Sequence, residues 1–197
     1  MNLILHGFLM GFAYVAPIGM QNMYIINSAI NYNRKDLLIT IVLTIINDVS
    51  LAIFCFLGIG SIITQIPNAS SAMSYIGFIA ILFISYSIWN SQVDSSSKDT
   101  IANKSKLLIT PFVIAWLNPQ AILDGSIILG SMYSTISNNA DRTMFIIGFS
   151  SSSIIWFSSL AIFIHLSKNK ITANSQRLLN KVSAIILLYF GIKLLLS

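Results

Sequence analysis

Two aspartates stand in stretches of sequence that are otherwise apolar. Asp48 lies in the centre of TIINDVSLAIF, and Asp124 follows the segment LNPQAIL. A carboxylate at the centre of a bilayer costs about 2.5 to 3.5 kcal/mol even on insertion scales, so such residues usually face a cavity or a partner. No lysine or arginine occupies the same depth in any apolar stretch. Either the two carboxyl groups are protonated, or a substrate brings the positive charge.

Prolines and side-chain amides accompany these carboxylates. They are Pro17, Gln21, Asn22, Asn118 and Pro119. Proline inside a helix costs about 3 kcal/mol, and the freed carbonyls must find partners in protein or water. Asn118 is a predicted N-cap with Pro119 at the first helical position, and Gly19 is expected to supply backbone angles that other residues avoid. Two half-helix N-termini near the bilayer midplane would suit a carboxylate ligand. The alternative is that both prolines only kink long helices.

The chain is far more apolar than a soluble domain. Of its 197 residues, 55% are hydrophobic and 9% are charged, and the mean hydropathy is +0.80. Soluble domains carry about 25% charged residues. Six stretches with few or no charges follow one another, at residues 3–30, 37–60, 72–89, 107–132, 143–166 and 182–196. Most reach the ~20 residues that a helix needs to cross a bilayer. The sequence predicts an all-α membrane protein with six transmembrane helices, of which spans one and four are broken at Pro17 and Pro119.

Basic residues mark one side of the predicted membrane protein. Of the 11 Lys and Arg residues, all but Arg142 and Lys193 fall in the loops after the first, third and fifth stretches. By the positive-inside rule these loops are cytoplasmic and both termini lie outside. The basic residues form no single basic face with interleaved aromatic residues, so nucleic acid is not an expected partner. The N-terminal apolar run lacks a basic start and continues through Pro17, which predicts a span rather than a removable signal.

A polar segment divides the chain into two halves. Residues 91–106 carry Ser, Asp and Lys without apolar periodicity, which is typical of a solvated cytoplasmic linker between residues 1–90 and 107–197. Each half is predicted to hold three spans, and because three is odd, the second half enters the membrane from the opposite side. We therefore expect two inverted three-helix repeats, as in many secondary transporters. An offset of 102 residues aligns Pro17 with Pro119, Asn22 with Asp124 and Asp48 with Ser150.

Other classes of function find little support in the residues. Cys55 is the single cysteine, which excludes an intrachain disulfide and a thiolate metal cluster, and we expect it to be a packing residue. The sequence has no phosphate loop, metal-ligand cluster or Ser, His and acid set, so we expect no metal and no cofactor. The two aspartates would suit the acid/base pair of an intramembrane hydrolase, but no nucleophile motif accompanies them. A non-transporting membrane subunit would leave the deep aspartates unexplained.

The motifs around the two prolines resemble those of a known family. APIGMQNMYIINSAI, an aspartate in the middle of the second span, and WLNPQAILDGSIILGS are similar to the lysine exporter (LysE) family, in particular to its lysine and arginine exporter branch. The resemblance covers the whole chain in length, number of spans and order of motifs. Met20 stands where that branch often has a small residue or proline, and Gln120 where histidine is frequent. These departures leave the precise substrate open.

The resemblance implies a secondary transporter that exports lysine or arginine across a bacterial inner membrane, driven by the proton motive force. It implies functional positions at Pro17, Gln21, Asn22, Asp48, Asn118, Pro119 and Asp124. We expect the helix N-termini and the amides to hold the substrate carboxylate, and Asp48 or Asp124 to neutralise the cationic end and to bind the coupling proton. The alternatives are export of neutral amino acids or derivatives, or of a metal or sodium cation. Six short helices enclose little volume, which is compatible with a homodimer.

Overall fold

In the computed structural model, every regular element of the described residues is a helix. The structure describes residues 2–17, 19–58, 69–90, 104–168 and 173–196. In chain order the helices are α1 (Leu3–Val15), α2 (Met20–Asn31), α3 (Arg34–Phe56), α4 (Ala69–Trp89), α5 (Lys104–Trp116), α6 (Pro119–Thr135), α7 (Asn139–Ser167) and α8 (Ala173–Leu196). The predicted all-α class is confirmed for this part of the chain.

Asparagine side chains begin four of these helices. The side chains of Asn2, Asn33, Asn118 and Asn138 accept hydrogen bonds from backbone N–H groups in the first turns of α1, α3, α6 and α7. Each cap satisfies a donor that a helix otherwise leaves unpaired at its N-terminus. Asn118 therefore caps α6 with Pro119 as the first helical residue, as the sequence predicts.

Helix α2 begins differently. Its N-cap is Gly19, which has no side chain to accept a hydrogen bond and has φ −139° and ψ −172°. These angles are ordinary extended backbone, and a Cβ at Gly19 would meet only the Pro17 carbonyl oxygen at 3.9 Å. The expectation that Gly19 supplies angles reserved for glycine is therefore wrong.

Two helices are by themselves long and apolar enough to cross a membrane. They are α3, with 23 residues, and α7, with 29. The angle between α1 and α2 is 76°, and that between α5 and α6 is 62°. Each of these bent pairs is also long and apolar enough to cross a membrane if its two helices form one span. The described residues therefore contain two spanning helices, or four on that condition. The predicted third and sixth spans fall on α4 and α8, while most of the predicted linker and the end of the predicted second span lie outside the described residues.

Close packing of α1 on α7 positions the first bent pair. A Cβ at Gly7 would collide with the main-chain carbonyl of Phe145, and a Cβ at Gly148 would collide with that of Ile4. Small residues of this kind let two helix backbones touch. Helix α7 also contacts α2 and α3, α3 contacts α5 and α6, and α4 packs on α8. The N-terminal end of α2 is thereby placed beside both long helices.

Candidate functional site

Asp48 lies in the interior of the bundle, on α3. Its side chain is 6% exposed. The hydroxyl of Ser153 on α7 donates a hydrogen bond of 2.6 Å to its Oδ2 atom, and the side chain of Gln21 on α2 lies beside the carboxyl group. Within the described residues no lysine or arginine side chain acts on Asp48. Among the described residues the buried carboxyl group is therefore surrounded by neutral side chains.

Asn22 binds the main-chain atoms that the end of α1 leaves open. Its Nδ2 atom donates to the carbonyl oxygens of Val15, at 2.9 Å, and Pro17, at 2.6 Å. Its Oδ1 atom accepts a hydrogen bond of 2.8 Å from Nε1 of Trp156 on α7. Carbonyls at the end of a helix have no intrahelical partner, and Asn22 supplies one. This amide, which the sequence suggests as a ligand, therefore ties α1, α2 and α7 together.

The two helix N-termini beside the prolines are not equivalent. At α6 the Oδ1 atom of Asn118 accepts a hydrogen bond of 3.3 Å from the N–H of Ala121, and Pro119 has no N–H to offer. At α2 the cap residue is Gly19, and no side-chain cap bonds to the first turn. Backbone N–H groups are thus more available for an anion at α2 than at α6.

Asp124 lies in a different environment from Asp48. It is exposed on α6, beside Leu123 and Ile127, which are 39% and 68% exposed. Both aspartates act electrostatically on the phenol of Tyr14, whose hydroxyl donates to the Ala121 carbonyl oxygen at 3.2 Å. The structure therefore brings Gln21 and Asp48 into contact, whereas Asp124 is on the exposed side of α6.

Three residues at this site were not singled out as ligands from the sequence. They are Tyr14, Ser153 and Trp156. Ser153 belongs to the run SSSS of α7, and it lies fourteen residues after the first residue of α7, as Asp48 does after the first residue of α3. A comparison based on helix starts would have paired these two residues. The contacts of Tyr14 and Trp156 join segments more than 100 positions apart in the chain, and no local pattern indicates them.

Cys55 packs between helices, as expected. It is 1% exposed, and its thiol lies 3.7 Å from the carbonyl oxygen of Ile122. Within the part of the chain that the structure describes, no group of three or more His, Cys, Asp or Glu residues is arranged to hold a metal ion.

Sequence comparison with known proteins identifies a family and several named relatives. The family model described as LysE type translocator matches residues 12–197. YisU of Bacillus subtilis (strain 168), whose name classes it provisionally as an amino-acid transporter, is 28% identical over 202 residues, covering 98% of this chain and 91% of that protein. The arginine exporter protein ArgO of Shigella flexneri is 26% identical over 194 residues, covering 95% of this chain and 90% of that protein. ArgO of Escherichia coli (strain K12) is 25% identical over 194 residues, with the same coverage.

No solved structure matches the chain. The family match spans nearly all of the sequence, including both proline segments, Asp48 and Asp124. The chain belongs to the family of LysE type translocators.

Proposed function

We propose that this protein is a secondary transporter that exports lysine or arginine from the cytoplasm in exchange for protons. The observation that carries the proposal is Asp48, a buried carboxyl group on a membrane-spanning helix, which accepts a hydrogen bond from the neutral hydroxyl of Ser153 and lies beside the neutral side chain of Gln21. A carboxyl group in such a place can bind a proton in one state and interact with a cation in another. Relatives named as arginine exporters support a basic substrate.

The substrate carboxylate binds at the N-terminus of α2 in this proposal. The first turn of α2 offers backbone N–H groups at Gly19 and Met20 with no side-chain cap. Gln21 adds a side-chain amide next to Asp48. Asn22 and Asn118 serve the site indirectly, because their amide groups hydrogen-bond to backbone atoms beside Pro17 and Pro119 and so shape the two helix ends.

The two aspartates have different roles in this proposal. Asp124 is exposed and meets the cationic end of the substrate, while the buried Asp48 carries the proton. An exposed carboxylate inside a span faces water or another polar surface rather than acyl chains, because lipid would impose the cost of about 2.5 to 3.5 kcal/mol. The side of α6 that carries Asp124 therefore lines a substrate vestibule. Tyr14, on which both charges act, is near enough to both groups to sense a change of charge at either one.

The contact pattern supports two inverted repeats. In such a repeat, helices α1 to α4 of the first half correspond in order to helices α5 to α8 of the second half. Helices α1 and α2 contact α7, and the corresponding helices α5 and α6 contact α3, which corresponds to α7. The α3–α7 and α4–α8 contacts each join two corresponding helices. Asp48 and Ser153, which lie equally far from the first residues of α3 and α7, are hydrogen-bonded to each other. Contact between such closely corresponding positions is expected near a pseudo-two-fold axis, so we propose six spans with broken first and fourth members.

Three contacts support an orientation with the basic loops in the cytoplasm and both termini outside. Nδ2 of Asn27 and of Asn31, at the end of α2, each donate to Oδ1 of Asn180 in α8 at 3.0 Å. The ammonium group of Lys181 lies 5.4 Å from the centre of the Trp89 ring at the end of α4. The C-terminal ends of α2 and α4 and the N-terminal part of α8 therefore lie at one end of the molecule, which the positive-inside rule assigns to the cytoplasm of a bacterial inner membrane.

Amino-acid profiling in an exporter-deficient bacterial strain tests the proposal. Expression of the wild-type chain should lower the intracellular and raise the extracellular concentration of arginine or lysine, and should confer resistance to the arginine analogue canavanine. Asp48→Asn and Asp124→Asn should each abolish the resistance at unchanged membrane levels. Asp141→Asn is the matched control, because Asp141 lies in the first turn of α7 and outside the proposed site.

Full resistance in both deep variants would refute the mechanism. If only the concentrations of neutral amino acids change, the protein is an amino-acid exporter but its substrates are not basic. Separate uptake measurements with labelled arginine and with a labelled metal ion, both in inside-out vesicles, distinguish an amino-acid exporter from a cation exporter.

A further inference from the structure

A line of polar side chains follows α3 toward Asp48 and has no part in substrate binding as proposed above. Polar residues recur there at every fourth position, as Asp36, Thr40, Thr44 and Asp48. Residues four apart share one face of a helix, so these side chains form one stripe. Thr40 and Thr44 are 0% and 1% exposed. The stripe is therefore buried in the bundle and is not a solvated surface of α3.

Helices α2 and α5 add hydroxyl groups to this stripe. The phenol of Tyr24 lies beside the hydroxyls of Ser28, Thr40 and Thr110, and all four side chains are buried. We call the set of Tyr24, Ser28, Thr40, Thr44 and Thr110 the hydroxyl seam. It connects the α2–α3 end of the molecule with the helical turn that precedes Asp48.

Most of these hydroxyl groups have no protein partner. Thr40 donates to the Asp36 carbonyl oxygen at 2.9 Å, which is the usual way in which threonine is satisfied in a helix. The hydroxyls of Tyr24, Ser28 and Thr44 have no hydrogen-bond partner among the described residues. Buried polar groups are nearly always paired with protein or with ordered water. Three unpaired hydroxyls along one seam therefore indicate bound water.

The structure offers room for water at the Tyr24 end of the seam. A cavity of about 280 Å³ lies between α2, α4 and α5, and its walls include Tyr24 and Thr110 of the hydroxyl seam. Asn27, Tyr32 and Ser105 line it as well, so it extends to the end of the molecule where α2 finishes. A single water needs only about 10 to 15 Å³ of such volume and two to four polar partners. The cavity is large enough for water, and Tyr24 and Thr110 provide polar partners where it borders the hydroxyl seam.

We propose that the hydroxyl seam is a hydrated path that carries protons between Asp48 and the end of the bundle at Asp36. The inference rests on the proposed function in one respect, that Asp48 is the proton carrier. Threonines four residues apart are separated by ~6 Å along a helix, and one water with two hydrogen bonds of ~2.8 Å spans nearly that distance. Each hydroxyl or water accepts one proton and releases another, so the transfer needs no further reactant.

Silver-ion labelling tests the hydration of the seam without relying on transport. Ag⁺ is close to water in size, does not cross lipid, and blocks a cysteine thiol against later maleimide labelling in the denatured protein. In a Cys55→Ala background and inside-out vesicles, Thr44→Cys should be blocked by Ag⁺. Val42→Cys, two residues away on the exposed face of α3 and 52% exposed, should remain available to maleimide. Failure of Ag⁺ to block Thr44→Cys, or equal blocking at both positions, overturns the proposal.

Transport by proteoliposomes tests whether protons use the path. Exchange of labelled for unlabelled arginine needs no net proton movement, whereas uptake driven by a pH gradient does. Thr44→Val should slow gradient-driven uptake at least about tenfold, a typical loss when a positioned proton-transfer group is removed, and should leave exchange unchanged. Thr44→Ser should restore the driven uptake.

Ser50→Ala is the matched control, because it removes a hydroxyl from the same helix that donates only to the Asn47 carbonyl oxygen, at 2.9 Å. It should leave both rates unchanged. Equal slowing of exchange and driven uptake by Thr44→Val assigns Thr44 a structural role and overturns the path. If the wild-type protein exchanges no arginine, the proposed substrate fails, and silver-ion labelling still decides the hydration of the seam.

Discussion

Among single residues, Asn22 explains how the turn between α1 and α2 is stabilised inside an apolar bundle. The turn frees carbonyl groups that lipid cannot satisfy, and one amide serves two of them, at Val15 and Pro17. The same amide is held in place by Trp156. The asparagine is thus required by the geometry of the turn, whatever the transported molecule is.

Replacing Asn22 with aspartate should destabilise the protein more than removing its indole partner. Asn22→Asp keeps an acceptor for Trp156 but loses both donated hydrogen bonds and places a carboxylate against two carbonyl oxygens. We expect a loss of at least about 1 to 3 kcal/mol, the cost of leaving a buried polar group unpaired. Trp156→Phe removes a single N–H donor and should cost less. Melting temperatures in detergent measure both effects, and an unchanged value for Asn22→Asp would contradict this role.

Ser153 is expected to matter through its contact with Asp48. A hydrogen bond to a charged group contributes about 1.5 to 3 kcal/mol, so Ser153→Ala should lower transport by roughly tenfold or more. Ser151→Ala is the control, because the Ser151 hydroxyl donates to the Gly148 carbonyl oxygen of its own helix. Initial rates of arginine efflux from loaded cells provide the measurement. Equal rates for the two variants would mean that Ser153 does not assist Asp48.

At the scale of helices, the contact between α1 and α7 depends on glycines that leave no room for a side chain. Gly148→Ala would place a Cβ against the Ile4 carbonyl group, which would force the two backbones apart and should reduce the yield of folded protein. Gly130→Ala is the matched control, since a Cβ there would lie an ordinary 3.8 Å from the Cys55 carbonyl oxygen. It should be neutral or stabilising by up to ~1 kcal/mol through helix propensity. Size-exclusion profiles in detergent measure the yield of folded protein, and a yield of Gly148→Ala equal to or above that of Gly130→Ala would contradict this role of Gly148.

The helices were predictable from sequence to the extent that local chemistry determines them. Apolar runs located the cores of α3 and α7, and the Asn118–Pro119 pair located the start of α6, because capping and the missing proline N–H act within a few residues. The different exposure of Asp48 and Asp124 was not predictable, since it depends on how α3 and α6 are rotated in the bundle. The same holds for Trp156, whose partner Asn22 lies 134 positions earlier in the chain.

At the scale of the whole molecule, the one basic residue between α6 and the body of α7 needs an explanation, because the positive-inside rule disfavours a cation on the outer side. Nε of Arg142 donates to the carbonyl oxygens of Tyr133, at 3.1 Å, and Ile136, at 2.7 Å, and its guanidinium group lies 3.9 Å from the centre of the Tyr133 ring. Arg142 thus caps the C-terminal end of α6, where a helix dipole favours positive charge. Its position reflects helix capping and is compatible with an outer loop.

Fusions of alkaline phosphatase, which is active only outside the cytoplasm, test this orientation. A fusion placed after Asn138, between α6 and α7, should be at least about tenfold more active than one placed after Lys106, because the latter keeps the lysines of the predicted linker, which retain a loop in the cytoplasm. Fusions to green fluorescent protein, which becomes fluorescent only if it stays in the cytoplasm, should show the opposite order. High phosphatase activity after Lys106 would mean that the molecule has the opposite orientation in the membrane. It would then place the α2–α3 end of the bundle outside, and the hydrated path to Asp48 would serve proton entry instead of release.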